Sequence, residues 1–304
     1  NVGGVATLVG DPPNIMIGSA ARFSFNDFLI HSLPVVVVAW FATLTTLKIV
    51  FRKEMKQKPQ NVEALMKMNE KDALKDRETL RKILVILGLV VVLFFTHSAL
   101  HIAPSMVALI GASLALLWVC PKKDPQKVLE KIELSVLLFF ASLFVLVGGL
   151  EHAGVLEYLA NMITGGIEGN LLMTALIVLW SAAILSAIVD NIPLTVAMIP
   201  VLTYFTDQGI EINILWWALV FGVGFGGNGS PIGSTANVIV VSKSEQTDNP
   251  ITFKMWMKSG LSTMFVSLCI GSIALILFTN FFMTGGNHVA TQDDVVVTTL
   301  NIEK

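Results

Sequence analysis

Long apolar stretches separated by polar segments define the organisation of this chain. A helix needs about 20 mostly apolar residues to cross a bilayer. Stretches of this kind occupy residues 34–51, 83–97 with an extension to His101, 104–120, 134–150 and 258–283. The pattern predicts an all-α polytopic membrane protein.

The composition supports this interpretation. Hydrophobic residues make up 54% of the chain and charged residues 14%, whereas soluble domains average roughly 25% charged residues. The mean hydropathy is +0.73. We therefore expect an integral, multi-pass protein of the plasma or inner membrane, surrounded by the lipid bilayer. The net charge of −2 gives no indication of a nucleic-acid partner, and none is expected.

The charged loops predict the topology. Residues 52–82 carry ten Lys or Arg against six Asp or Glu, so the positive-inside rule places this loop in the cytoplasm. The basic loop at residues 121–133 follows two spans later and falls on the same side. Residues Glu151–Gly165 then form an amphipathic helix on the outer side.

A re-entrant hairpin is predicted around Asp190, the only charged residue between positions 170 and 206. This segment is too long for one span, and the arm after Pro193 has about a dozen residues, roughly 18 Å of helix. Two full spans therefore do not fit. We expect a hairpin that enters from the outside, with its tip at residues 190–193.

A glycine-rich motif occurs twice. Residues 3–15 align without a gap on residues 226–238, and each copy interrupts an apolar stretch before a new helix begins. Irregular backbone at membrane depth is tolerated only where it lines a cavity or is buried in protein. Two such breaks in corresponding positions are typical of the binding site of a secondary transporter. The loop charges give the two following half-helices opposite directions, as inverted repeats require.

The residues at the breaks predict helix starts that point into a shared site. Asp11, which precedes Pro12 and Pro13, and the aligned Ser234 both suit the N-cap position. Converging helix N-termini favour an anion, and loosened carbonyls favour a cation. The Asp190 side chain is expected to bind a coupling ion or to titrate, because a carboxylate in the bilayer core costs about 2.5–3.5 kcal/mol. The alternative is that it only caps its helix, which is the preferred explanation for Asp11.

The other candidate site residues are glycines, amides and hydroxyls at the three predicted tips. They are Gly3, Gly4, Thr7 and Asn14 at the first break, Asn191 and Thr195 at the hairpin, and Gly226, Gly227, Asn228, Gly229, Ser230 and Asn237 at the second break.

Three motifs resemble those of a known family. The segments 3–14, 190–200 and 226–238 resemble the arsenite-permease and melanosomal P-protein branch of the ion transporter superfamily, which includes citrate and dicarboxylate carriers. The resemblance extends to about Gly285. It implies two inverted repeats, a homodimer formed through scaffold helices and an elevator-like movement. It also implies that this chain, which starts inside a motif copy, is incomplete at its N-terminus.

The resemblance divides the chain into five parts. Residues 1–51 end the first repeat, 52–82 form a cytoplasmic linker, 83–165 form the scaffold and amphipathic helices of the second repeat, 166–283 form its transport part, and 284–304 are a polar tail.

The expected function is ion-coupled secondary transport of a small inorganic anion or oxyacid similar to arsenite or antimonite. Carboxylate carriers of this superfamily favour a Ser-Asn-Thr hairpin tip, and Asp190 in the first position would repel a carboxylate substrate. A sodium/proton antiporter and a citrate-type carrier remain the alternatives.

No cofactor or enzyme activity is expected. The coupling ion is sodium or a proton, and Asp190, Asn191 and Asn228 are the candidate sodium ligands. An ATPase subunit is the expected partner if arsenite is the substrate.

Overall fold

The computed structural model describes residues 1–56, 76–119, 134–154, 170–207, 210–247 and 249–284, together with Met66 and Gln126. These residues form helices, short turns and connections, without a strand among them. The helices are α1 (Pro12–Ala20), α2 (Phe25–Val50), α3 (Arg77–Thr96), α4 (Pro104–Val119), α5 (Leu134–His152), α6 (Leu171–Ile188), α7 (Asn191–Asp207), α8 (Asn213–Gly226), α9 (Thr235–Ser244), α10 (Phe253–Leu277) and α11 (Thr279–Met283). The chain is an all-α polytopic membrane protein.

Helices α2, α3, α6 and α10 are each long and apolar enough to cross a bilayer. Three of these helices begin several residues before the predicted apolar stretch, at Phe25, Arg77 and Phe253. Side-chain caps fix the true starts: Ser24 accepts a bond from the Asp27 amide, Asp76 from the Thr79 amide and Thr252 from the Met255 amide. The last span also ends earlier than predicted, at Leu277.

Helix α2 continues through Pro34, where the sequence predicted a span to begin. Residues Phe28–Ser32 adopt a π-helical turn directly before the proline-containing segment Leu33–Val50. A π-turn widens the helix locally, and Pro34 lies near the start of the following regular segment, where a missing N–H is tolerated. The span therefore covers 26 residues.

Helix α8 is the centre of the described structure. Every residue from Ile214 to Gly226 is buried, and the helix packs on α6 and α10. An ideal Cβ on Gly226 would lie 2.5 Å from the Ala183 Cα atom, so glycine lets α6 and α8 approach closely. Small residues serve this purpose in membrane proteins, where packing drives helix association.

Two helices, α6 and α7, are joined by Val189 and Asp190 where the hairpin was predicted. Its re-entrant placement in the bilayer stays a prediction, and α6 is long enough to cross. The end of α6 is fixed to the central helix, since the Ser186 hydroxyl donates a hydrogen bond of 2.9 Å to the Val223 carbonyl. The hairpin tip therefore lies beside the second break, which begins at the end of α8.

Several predictions lie outside the described residues. Most of the amphipathic helix at residues 151–165 belongs to this group, as do most of the two basic loops and the tail after Thr284. The five-part division of the chain stays a prediction.

Candidate functional site

The two glycine-rich breaks have the same internal hydrogen bonds. In the first, the Asn14 side-chain amide donates to the Gly4 and Thr7 carbonyls, both at 2.9 Å. In the second, the Asn237 amide donates to the Gly227 carbonyl at 2.6 Å and the Ser230 carbonyl at 2.9 Å. These partners are aligned residues of the two motif copies. The sequence repeat is therefore a repeat of structure, in which one buried asparagine holds each broken segment closed.

The glycines of the motif allow each break to fold onto itself. A Cβ atom on Gly10 would lie 2.2 Å from the Gly4 carbonyl oxygen, and one on the aligned Gly233 would lie 2.9 Å from the Gly227 carbonyl oxygen. Both contacts are closer than real Cβ atoms allow. The glycine spacing thus reflects the close approach of backbone to backbone within each break.

We expect Asn14→Ala and Asn237→Ala to lower the free energy of unfolding by similar amounts, about 2 kcal/mol each. Each substitution leaves two break carbonyls without their donor, and an unsatisfied buried polar group costs about 1–3 kcal/mol. Thermal unfolding of the detergent-purified variants would measure this. Asn26→Ala is the matched control, because its amide makes a single, exposed bond of 3.2 Å to the Phe95 carbonyl. Equal losses for all three variants would contradict the assignment.

The hairpin tip is bonded to both breaks. The Asn191 amide donates to the Asp11 carboxylate at 3.1 Å, and the Thr235 hydroxyl donates to the Asp190 carboxylate at 3.3 Å. Asp11 precedes α1, and Thr235 is the first residue of α9. The two neighbouring tip residues therefore connect the starts of the two half-helices.

A further bond connects the breaks directly. The Asn1 amide donates to the Asn237 side-chain oxygen at 3.0 Å. The Asn237 side-chain NH₂ group donates to carbonyls of its own break, so its side-chain oxygen is the atom that can accept a bond from the other repeat. Three separate contacts thus join these elements: Asn191 with Asp11, Thr235 with Asp190, and Asn1 with Asn237.

The predicted capping roles require a correction. Asp11 and Ser234 occupy N-cap positions with extended backbone, but neither side chain makes a capping bond. At Asp11 the reason is the sequence Pro12-Pro13, which supplies no N–H, while the Asn14 amide bonds to the Asp11 carbonyl at 3.0 Å. The Asp11 carboxylate therefore contacts Asn191 instead. Asp190 does cap its helix, since its carboxylate accepts the Ile192 amide at 3.0 Å, and its second oxygen meets Thr235.

Other predicted site residues bond within their own elements. The buried Thr195 hydroxyl donates to the Asn191 carbonyl at 2.7 Å, and the Asn228 amide donates to the Phe225 carbonyl at 2.9 Å. The Ser230 hydroxyl accepts the Ile232 amide at 3.3 Å. Gly229 packs against Ala187 of the hairpin. Gly3 has open space around it, so close packing does not explain a glycine there.

Sequence reasoning missed the side chains that anchor the breaks to the following spans. The Ser32 hydroxyl donates to the Val5 carbonyl at 2.6 Å, and the Trp256 indole donates to the Asn228 carbonyl at 3.1 Å. Val5 and Asn228 are aligned in the two copies, but their donors are different residue types. The motif alignment marked the positions of the two acceptors. It could not identify their donors, because a backbone carbonyl accepts from donors of different residue types.

The site offers carboxylate, amide and hydroxyl oxygens, which are ligands that hard cations prefer, and a proton can bind the carboxylates. Within the part of the chain that the structure describes, no group of three His, Cys, Asp or Glu side chains is placed to hold a metal ion. The start of α9 adds backbone N–H groups of a first helical turn, whereas at the start of α1 Pro12 and Pro13 have none and the Asn14 backbone N–H is bonded to the Asp11 carbonyl.

Comparison with known proteins gives the family. Residues 1–222 match the family model described as citrate transporter, CitMHS. The chain is 38% identical over 281 residues to a 46 kDa membrane protein of Mycobacterium leprae, covering 91% of this chain and 65% of that protein. It is 32% identical over 302 residues to an uncharacterized transporter of Synechocystis, covering 92% of this chain and 66% of that protein.

The human P protein is 33% identical over 239 residues, which are 75% of this chain and 28% of that protein. This match confirms the P-protein branch that the motifs indicated. The chain spans about two thirds of the length of its bacterial relatives. It belongs to the citrate transporter family, CitMHS, and the names of its relatives agree with a membrane transporter and not with an enzyme.

Proposed function

We propose that this chain belongs to an ion-coupled secondary transporter for a small inorganic anion or oxyacid of the arsenite or antimonite type. The observation that supports this best is the hairpin tip bonded to both breaks through Asn191–Asp11 and Asp190–Thr235. A substrate or ion bound among these groups would contact two half-helix starts and the hairpin at once. Its binding would therefore be coupled to closure of the tip.

The two carboxylates are the proposed coupling groups. Asp190 uses one oxygen for its own helix and the other for Thr235, whereas Asp11 uses one oxygen for Asn191. The other Asp11 oxygen has no hydrogen-bond partner among the described residues. Asp11 and Asp190 contact neighbouring residues of one hairpin tip, and two carboxylates in one site attract a cation. Sodium, with Asp190, Asn191 and Asn228 as candidate ligands, or a proton would neutralise them.

The charge of the site supports a substrate with little negative charge. A polycarboxylate would meet the Asp11 and Asp190 carboxylates, and like charges at close range repel. An uncharged oxyacid would instead accept bonds from free N–H groups and donate its own hydroxyls to the carboxylates. A citrate-type carrier is the second candidate, favoured by the description of the family model. A sodium/proton antiporter is the third, favoured by the paired acids.

The test is transport by the full-length protein in proteoliposomes, with arsenite, citrate and sodium as separate probes and an imposed sodium or pH gradient. We expect arsenite accumulation driven by one of the two gradients. Gradient-driven citrate accumulation without arsenite transport would replace the first candidate by the second, and sodium/proton exchange without either would replace it by the third. Cross-linking in native membranes would test the proposed homodimer through α3–α5 and the ATPase subunit proposed for arsenite transport.

A further inference from the structure

A cavity lies between the turn that joins α1 to α2 and the turn that joins α3 to α4, and Leu8 of the first break and Ile15 of α1 also line it. It has a volume of about 370 Å³. The first turn contributes Arg22, with Ser19 and Ser24 on either side, and the second contributes Ser98 and Ser105. Among the described residues, no Asp or Glu lines it.

The donors that line the cavity are largely uncommitted. Among the described residues, the side chains of Arg22, Ser19, Ser98 and Ser105 have no hydrogen-bond or ion-pair partner. The Ser24 hydroxyl is occupied, because it donates to the Asp27 carboxylate at 2.8 Å. The cavity thus combines one guanidinium with several unbonded hydroxyls, and no carboxylate lines it among the described residues. These are the groups that bind an oxyanion.

His97 fixes the relative position of the two turns. Its ring accepts the Phe25 amide at 3.2 Å and contacts the Ile102 carbonyl at 3.1 Å. The Phe25 amide needs an acceptor, so Nε2 carries the lone pair and Nδ1 carries the proton. Both ring nitrogens are therefore engaged, and His97 holds the cavity walls in place while the other side chains remain free to bind.

The backbone at Arg22 is a second, independent observation. Arg22 has φ of 56° at the end of α1, and the Phe23 amide bonds back to the Gly18 carbonyl at 2.8 Å. This is a Schellman turn, whose left-handed position usually holds glycine. An arginine there keeps a strained conformation, and such strain is concentrated at functional sites.

The distribution of charge along the chain agrees with a function for this arginine. Arg22 precedes α2 at the end opposite Lys48 and Arg52, which lead into the basic loop. The other connections predicted on the side of Arg22, residues 97–103, 153–170 and 208–212, contain no Lys or Arg. The positive-inside rule means that Lys and Arg are scarce in loops on the non-cytoplasmic side. Arg22 is nevertheless predicted on that side, and it lines the cavity between the two turns.

We propose that Arg22, together with Ser19, Ser98 and Ser105, binds an oxyanion, a phosphate or carboxylate group carried by a free small anion or by a lipid headgroup. The polar groups of this site are separate from the hairpin tip, since Ser19 and Arg22 lie at the C-terminal end of α1 and the tip contacts Asp11 at its start. It does not rest on the proposed transport function, and its test needs no transport measurement.

Binding would be measured on the purified full-length protein. Inorganic phosphate and citrate serve as free probes by calorimetry in a zwitterionic detergent, and native mass spectrometry counts phosphatidylglycerol retained over phosphatidylcholine. We expect Arg22→Gly to lower the affinity for the probe by at least about tenfold, since hydrogen bonds to charged groups contribute strongly to binding. Its melting temperature without probe should equal or exceed that of the parent, because glycine suits the left-handed position.

His101→Gly is the matched control. His101 also has a left-handed φ, of 53°, in a turn closed by the Ile102 amide and the His97 carbonyl at 2.9 Å, but its side chain does not line the cavity. It should bind like the parent. Loss of phosphate or citrate binding only in Arg22→Gly identifies a free anion, and loss of retained phosphatidylglycerol only in that variant identifies a lipid. If no probe binds the parent, or if Arg22→Gly binds as well as the parent, the proposal is overturned.

Discussion

Replacement of Asp190 by Asn is expected to abolish ion-driven transport while leaving a folded protein in the membrane. Asparagine retains an oxygen that can accept the Ile192 amide and preserves the helix start. It removes the negative charge that faces Thr235. A hydrogen bond to a charged group contributes about 1.5–3 kcal/mol, and the charge is also the proposed partner of the coupling ion, so the initial transport rate should fall by at least about tenfold. The measurement is gradient-driven uptake in proteoliposomes at equal protein density.

Thr235→Val is the control for this experiment. Valine has nearly the same shape as threonine but cannot donate to Asp190, so the variant breaks the contact between the hairpin and α9 and keeps the carboxylate. We expect a reduction of only a few-fold, because a neutral donor contributes about 0.5–1.5 kcal/mol. Wild-type transport by Asp190→Asn, with unchanged dependence on sodium and pH, would show that Asp190 is only a helix cap.

The second large effect is expected for Gly226→Ala at the end of the central helix. The added methyl group would lie 2.5 Å from both the Cα and the carbonyl oxygen of Ala183. These are backbone atoms, so the clash cannot be relieved by turning a side chain, and α6 must move away from α8. Overpacking of this kind costs about 3 kcal/mol. Thermal unfolding of the detergent-solubilised protein would show the loss.

Gly88→Ala provides the comparison. Gly88 lies in α3 and is exposed, and a methyl group added there would meet no atom of the described residues within 4 Å. Alanine is also the better helix former, so this variant should be at least as stable as the parent. A similar loss of stability in both variants would mean that the α6–α8 contact does not explain the role of Gly226.

Much of the fold was predictable because membrane insertion imposes strong rules on sequence. Helices that cross a bilayer need long apolar stretches, and irregular backbone inside it must be sheltered. These rules were sufficient to predict the hairpin at Asp190 and the two breaks. The repeated motif also identified Asn14 and Asn237 as a pair, and the structure gives them the same hydrogen bonds.

Local capping was less predictable. Asp11 has the residue type and position of an N-cap, but Pro12 and Pro13 have no N–H, and the Asn14 backbone N–H bonds to the Asp11 carbonyl oxygen and not to its carboxylate. The carboxylate is then free to accept Asn191, a residue 180 positions away. Three membrane helices begin before their apolar stretches for a related reason, since the hydrogen bonds of polar caps decide where a helix begins.

The sequence by itself determined the class of protein, the hairpin, the two breaks and their internal asparagines, because each of these follows from apolar length, from backbone that cannot be exposed to lipid, or from contacts within about ten residues. Only the tertiary structure decided that Asp190 meets Thr235, that Asn191 meets Asp11, that Ser32 and Trp256 hold aligned carbonyls, and that Arg22 shares a cavity with the turn after α3. The physical reason is that such pairs depend on how distant helices pack, and a hydrogen bond to a backbone carbonyl or a distant side chain leaves no periodic pattern in the chain.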